Sequence, residues 1–108
     1  MSNTAPPLTL DWLKVHQACL GGQRRFTNMA PQGSLPMDEM AAHKLFSYHT
    51  FSDIGWLLRK IIGMDNAYAV SCVTRDACSR DEYSETKRRE YKWRMANACV
   101  AAWQEYHK

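Results

Sequence analysis

Glycine and proline are scarce, five and four in 108 residues. That excludes collagen-like repeats and linker-like compositions. No apolar run approaches the roughly eighteen residues of a membrane span. The strongest apolar cluster, Ile54 to Ile62, contains Arg59 and Lys60. Neither sign of charge dominates: 14 Lys and Arg oppose 11 Asp and Glu, for a net +3. The pI of 8.7 lies below the value of about 9 typical of dedicated nucleic-acid domains. Cysteine is limited to positions 19, 72, 78 and 99. Four cysteines allow two disulfides in three pairings. Met1 to Pro7 lacks the basic and apolar regions of a secretory signal. The cysteines sit among small or apolar neighbours, as in Ala18-Cys19-Leu20 and Ala98-Cys99-Val100. They read as packed thiols of a reduced, cytoplasmic protein.

What is present points to helices. Hydrophobic residues make up 45% of the chain, enough for one core in a single domain. Residues 1–8 read as a flexible tail, and residues 9–108 as one helical domain. Thr9 is an N-cap for a helix over Leu10 to Leu20, stopped by Gly21-Gly22. Gln23 to Met29 suits one or two more turns, with Phe26 inward. Pro31-Gln32-Gly33 is a break. Met37 to His49 repeats apolar residues at helical spacing. Ser52 caps a helix over Asp53 to Ile62, and Gly63 ends it. Asp65 caps a helix over Ala67 to Cys78. Ser79 and Glu82 fit a capping box for the longest helix, which runs to Tyr106. Met95, Cys99, Ala102, Trp103 and Tyr106 form its apolar stripe. No hairpin signal or strand pair stands out. The expected fold is all-α: a compact bundle of four or five helices with a long C-terminal helix. The charged first half of that last helix is expected to project beyond the core.

Motifs for chemistry are few. Cys72 and Cys78 do not have zinc-finger spacing, and His16 with Cys19 is a single pair. No metal or other cofactor is expected. Glu39 and His43 are four apart and suit a surface ion pair. Cys19 beside His16 is the one local candidate for a reactive thiol. There is no G-x-S-x-G, H-E-x-x-H or phosphate loop. The chain therefore reads as a non-enzyme.

The basic surplus is concentrated late. Lys87, Arg88, Arg89, Lys92 and Arg94 form its densest run, with Glu90 among them. Tyr91 and Trp93 are interleaved. Such a run can contact phosphates and stack bases. Over residues 80–94, however, six basic residues (Arg80, Lys87, Arg88, Arg89, Lys92, Arg94) face four acidic ones (Asp81, Glu82, Glu85, Glu90), leaving only +2. Protein binding is the better reading, because aromatic residues, Met and Arg are enriched at contact patches. Arg88, Arg89, Lys92, Trp93 and Arg94 are the expected contact residues, with Lys87, Arg24 and Arg25 secondary. The sequence leaves two readings of Trp93 open, an exposed anchor and a residue packed in a dimer seam. The same surface suits a homodimer, and nucleic acid is the alternative partner.

Leu8-Thr9-Leu10-Asp11-Trp12-Leu13, Ala18-Cys19, Phe26 and Trp56-Leu57-Leu58-Arg59-Lys60 resemble segments of small helical accessory proteins encoded by phages and prophages. The resemblance implies an inhibitor or regulator that occupies a site on a bacterial host complex. A nucleic-acid-targeting defence complex fits that setting, which would make the protein an anti-CRISPR-type inhibitor.

Overall fold

The computed structural model describes residues 5–77 and 85–107, without the side chains of 76–77 and 85–87. It is all-α, with six helices among the described residues and one short strand pair. The order is β1 (Leu8–Thr9), α1 (Leu10–Val15), α2 (Leu20–Met29), β2 (Ser34–Leu35), α3 (Ala41–Tyr48), α4 (Phe51–Ile62), α5 (Met64–Ala77) and α6 (Glu85–Tyr106).

Thr9 caps α1 as expected, its Oγ1 accepting the Trp12 N–H at 3.0 Å. The helix then stops early. Gln17 adopts φ 65°, a left-handed conformation that breaks the helical ladder. Cys19 starts α2 instead, its Sγ accepting the Gly22 N–H at 3.3 Å. Gly21-Gly22 is thus not a helix stop but the first turn of α2. Gly22 is buried there, close to Asp53 of α4. Phe26 points inward and is fully buried.

β1 and β2 pair antiparallel, Leu8 with Leu35 and Thr9 with Ser34. This is two residues of ladder that composition did not reveal. Both leucines are buried, so Leu8 belongs to the core. The Pro6 carbonyl before it accepts the Trp103 Nε1–H at 2.7 Å. Packing therefore extends back into residues 5–8.

α3 begins at Ala41 rather than Met37. The Asp38 carboxylate accepts the Met40 N–H at 2.9 Å, a local turn that competes with an earlier helix start. α4 begins at Phe51, capped by Thr50 rather than Ser52. Thr50 Oγ1 accepts the Asp53 N–H, and the Asp53 carboxylate accepts the Thr50 N–H. That is a complete capping box. Ile54, Leu57, Leu58 and Ile61 are buried. Gly63 ends α4 at φ 88° and is the single residue between α4 and α5. α5 starts at Met64 and runs through Asp65, the expected cap.

α6 is the central element, packing against α3, α4 and α5. Met95, Ala96, Cys99, Val100 and Trp103 are buried along it. Burial pushes the Cys99 thiol up to about 12, and its S–H donates to the Ile54 carbonyl at 3.3 Å. Tyr106, expected on this stripe, is exposed instead. Cys78 and the expected Ser79–Glu82 cap lie outside the described residues. No described helix is long and apolar enough to cross a membrane.

Candidate functional site

The first half of α6 does not simply project from the fold. From Tyr91 onward it is held on three sides. The Tyr91 hydroxyl hydrogen-bonds Ser71 of α5, and its ring lies 4.9 Å from that of Phe51. Tyr91 is thereby committed to packing and withdrawn from base stacking.

Trp93 is half-buried. Its ring meets Phe46 of α3 edge-on at 5.9 Å and His43 at 4.7 Å. His43 therefore packs on Trp93. Glu39, its expected helical partner, precedes the first residue of α3, so the two do not share one helix face. Lys92 Nζ lies 4.9 Å from the Phe46 ring centre, within cation–π range. Burial, with Arg89 nearby, lowers the proton affinity of Lys92.

The basic residues divide between two faces. Arg88, Arg89 and Lys92 follow i, i+1, i+4 spacing and share one side of the helix. Arg88 and Arg89 are exposed. Arg94 is six residues from Arg88, about 240° round the helix. It is exposed and donates to Glu90 at 3.2 Å. Trp93 and Arg94 line an open groove of about 730 Å³ with Val73 of α5 and Ala98 and Ala101 of α6. Lys87 lies in α6, but its side chain is outside the described set.

Arg24 is exposed on α2. Arg25 is not a free contact residue. Its Nε and terminal nitrogen donate to the two oxygens of Asp53 at 2.5 and 2.9 Å. His49 Nδ1 lies 2.9 Å from the same carboxylate. Burial opposes the charge on Asp53. Arg25, His49 and the Thr50 N–H together outweigh it and hold the carboxyl well below its usual range. Burial lowers the proton affinity of His49, and Asp53 only partly offsets this. Facing an ionised carboxylate, which can only accept, Nδ1 is the donor of this pair. Its Nε2 is buried with no hydrogen-bond partner.

The sequence carried one local signal for part of this network, the Thr50-x-x-Asp53 pattern of a capping box. Nothing local linked Arg25 to Asp53, 28 residues away.

The His16–Cys19 pair is not assembled as a reactive unit. α1 ends before His16, so the two do not share a helix face. His16 stacks on Trp12 at 3.9 Å, and its Nδ1 meets the Trp12 carbonyl at 2.9 Å. Cys19 is exposed and caps α2. Cys72 and Cys99 are also free thiols. Among the described residues, no three His, Cys, Asp or Glu side chains converge as metal ligands do. No protein-family model, curated protein or solved structure matches this chain.

Proposed function

We propose that this protein is a non-enzymatic binding protein whose α6 docks an acidic surface of a partner protein. The braced ring of Trp93, one helical turn from the exposed Arg89, carries the reading. A ring already fixed by His43 and Phe46 loses little freedom on contact. Arginines beside an aromatic anchor are the residue types that dominate contact energies. Exposed guanidinium groups also steer association toward an acidic surface. The mechanism is occupation of a site on the partner. Together with the phage resemblance, this supports a bacterial complex as the proposed partner and an inhibitor or regulator as the proposed role.

The test is capture from nuclease-treated bacterial lysate at about 150 mM salt. The wild-type chain is expected to retain a stoichiometric acidic protein. Arg88→Glu with Arg89→Glu should lose it while keeping the wild-type circular dichroism spectrum. Trp93→Ala should weaken it by tenfold or more, as contact anchors do. Undiminished capture by the double glutamate variant would remove this surface from consideration. Capture that vanishes with nuclease and falls steeply with salt would assign α6 to nucleic acid instead.

A further inference from the structure

α5 presents an apolar face that nothing in the described fold covers. Its inner side is taken up by the core: Ala67 is buried, and Ser71 meets the Tyr91 hydroxyl. Its outer side carries Met64 at 71% exposed and Tyr68 at 69%. Ala69 is exposed and Cys72 half-buried beside them. A surface helix ordinarily turns polar residues to water. Here Met64, Tyr68 and Cys72 recur at every fourth position and form one outward stripe.

Two charged residues frame the stripe. At about 100° per residue, Asp65 and Arg75 lie about 80° apart around the helix, with Tyr68 and Cys72 between them. Both are exposed. The helix dipole favours each at its own end, yet neither has an ion-pair or side-chain hydrogen-bond partner among the described residues. The four positions share one centre. Asp65 and Arg75 are each five residues from position 70, and Tyr68 and Cys72 are each two from it. A second copy of α5, laid antiparallel about a dyad at that position, sets Asp65 against the partner's Arg75 and Arg75 against the partner's Asp65. It also sets Tyr68 on the partner's Cys72, and Met64 along the apolar stem of the partner's Arg75. A two-fold interface demands this reciprocity, in which one residue meets a second and the second meets the first. A foreign surface would demand no such matching within α5 itself.

We infer that α5 is a self-association surface through which two copies of this chain pair antiparallel as a weak two-fold dimer. The apolar stripe supplies the attraction, and the two Asp65–Arg75 pairs fix direction and register. One helix from each copy buries an area at the small end of specific interfaces, so the dimer dissociates on dilution. The seam uses none of Arg88, Arg89 and Trp93, and its failure would leave the reading of α6 untouched.

Sedimentation equilibrium of the full chain tests this, from about 5 to 500 μM protein at about 50 mM salt. The wild-type mass should rise from 12.5 kDa toward twice that value. Tyr68→Glu places a charge in the seam and should hold the chain at the monomer mass, with an unchanged circular dichroism spectrum. Asp65→Arg and Arg75→Asp each set like charges together at both ends of the seam, and each should weaken pairing about tenfold. Mixed in equal amounts, these two variants bring opposite charges together at both ends and should pair as wild type does. They keep the test decisive if Tyr68→Glu does not fold. A wild-type chain that stays at the monomer mass overturns the proposal. A dimer indifferent to Tyr68→Glu overturns the assignment to α5. Variants that stay weak when mixed overturn the antiparallel register.

Discussion

The Trp103 indole nitrogen donates to the Pro6 carbonyl at 2.7 Å, across 97 positions of sequence. This bond ties the start of the described chain to the last turns of α6. The Trp103 ring also meets Trp12 edge-on at 5.2 Å. One side chain thereby holds the N-terminal segment and α1 against the central helix.

Trp103→Phe keeps much of the apolar ring and removes the donor. The Pro6 carbonyl loses its partner, so stability should fall by about 1–2 kcal/mol. Trp103→Ala should cost about 3–5 kcal/mol. Urea melts measure both. In the phenylalanine variant, amides of residues 8–10 should exchange faster, because the clasp at Leu8 and Leu35 loses its backing.

Asp53 serves two elements at once. It completes the cap of α4 and receives Arg25 from α2. Asp53→Ala should cost about 2–3 kcal/mol, from a lost cap and two abandoned partners. Arg25→Ala should cost less than Asp53→Ala, because 36% of the Arg25 side chain is exposed and solvent screens the pair. Denaturant midpoints that reverse this order would show that the cap contributes little.

The same cluster sets an acid response. The His49 pKa in the fold lies below its ordinary 6.5. The unfolded chain therefore takes up this proton first as pH drops. The contribution of a neutral His49 is complete above pH 6.5 and shrinks as pH falls toward the folded value. Asp53 acts lower. Its folded pKa lies below the ordinary 3.8, so its contribution is complete above pH 3.8 and declines beneath it. Urea midpoints between pH 7.5 and 5 should fall in wild type. In His49→Gln that slope should flatten, while the loss below pH 3.8 remains.

Two backbone positions should respond in opposite directions. Gly63 has φ 88° and ψ 160°, a region essentially restricted to glycine. Gly63→Ala should cost about 1–3 kcal/mol, although no neighbour crowds the site. Gln17 pays for a left-handed conformation at φ 65°. Gln17→Gly should raise stability by up to about 1 kcal/mol. Thermal melts of both variants check the signs.

Helix identity was legible in the sequence wherever apolar spacing persisted for several turns. Ile54, Leu57, Leu58 and Ile61 announced α4, and Met95, Cys99 and Trp103 announced α6. Boundaries were harder. The Gly21-Gly22 pair has the composition of a stop, yet a glycine near a helix start costs little. The true break falls at Gln17, whose residue type gives no warning. The clasp of Leu8 on Leu35 is too short for any alternating pattern. The sequence left Trp93 undecided, because its neighbours in the chain are charged. Its burial comes from Phe46 and His43, on a helix far back in the chain. The Arg25–Asp53–His49 cluster was hidden for the same reason: long-range pairs leave no local period.

The central position of α6 has a consequence for synthesis. Most of the chain emerges from the ribosome before this helix does. Until it arrives, α3, α4 and α5 lack the surface that covers their apolar sides. The nascent protein must therefore wait with Ile54, Leu58 and Leu45 uncovered, and completion of the core is a late event. The interval between the synthesis of α5 and that of α6 is therefore when these apolar faces are most open to association with other chains.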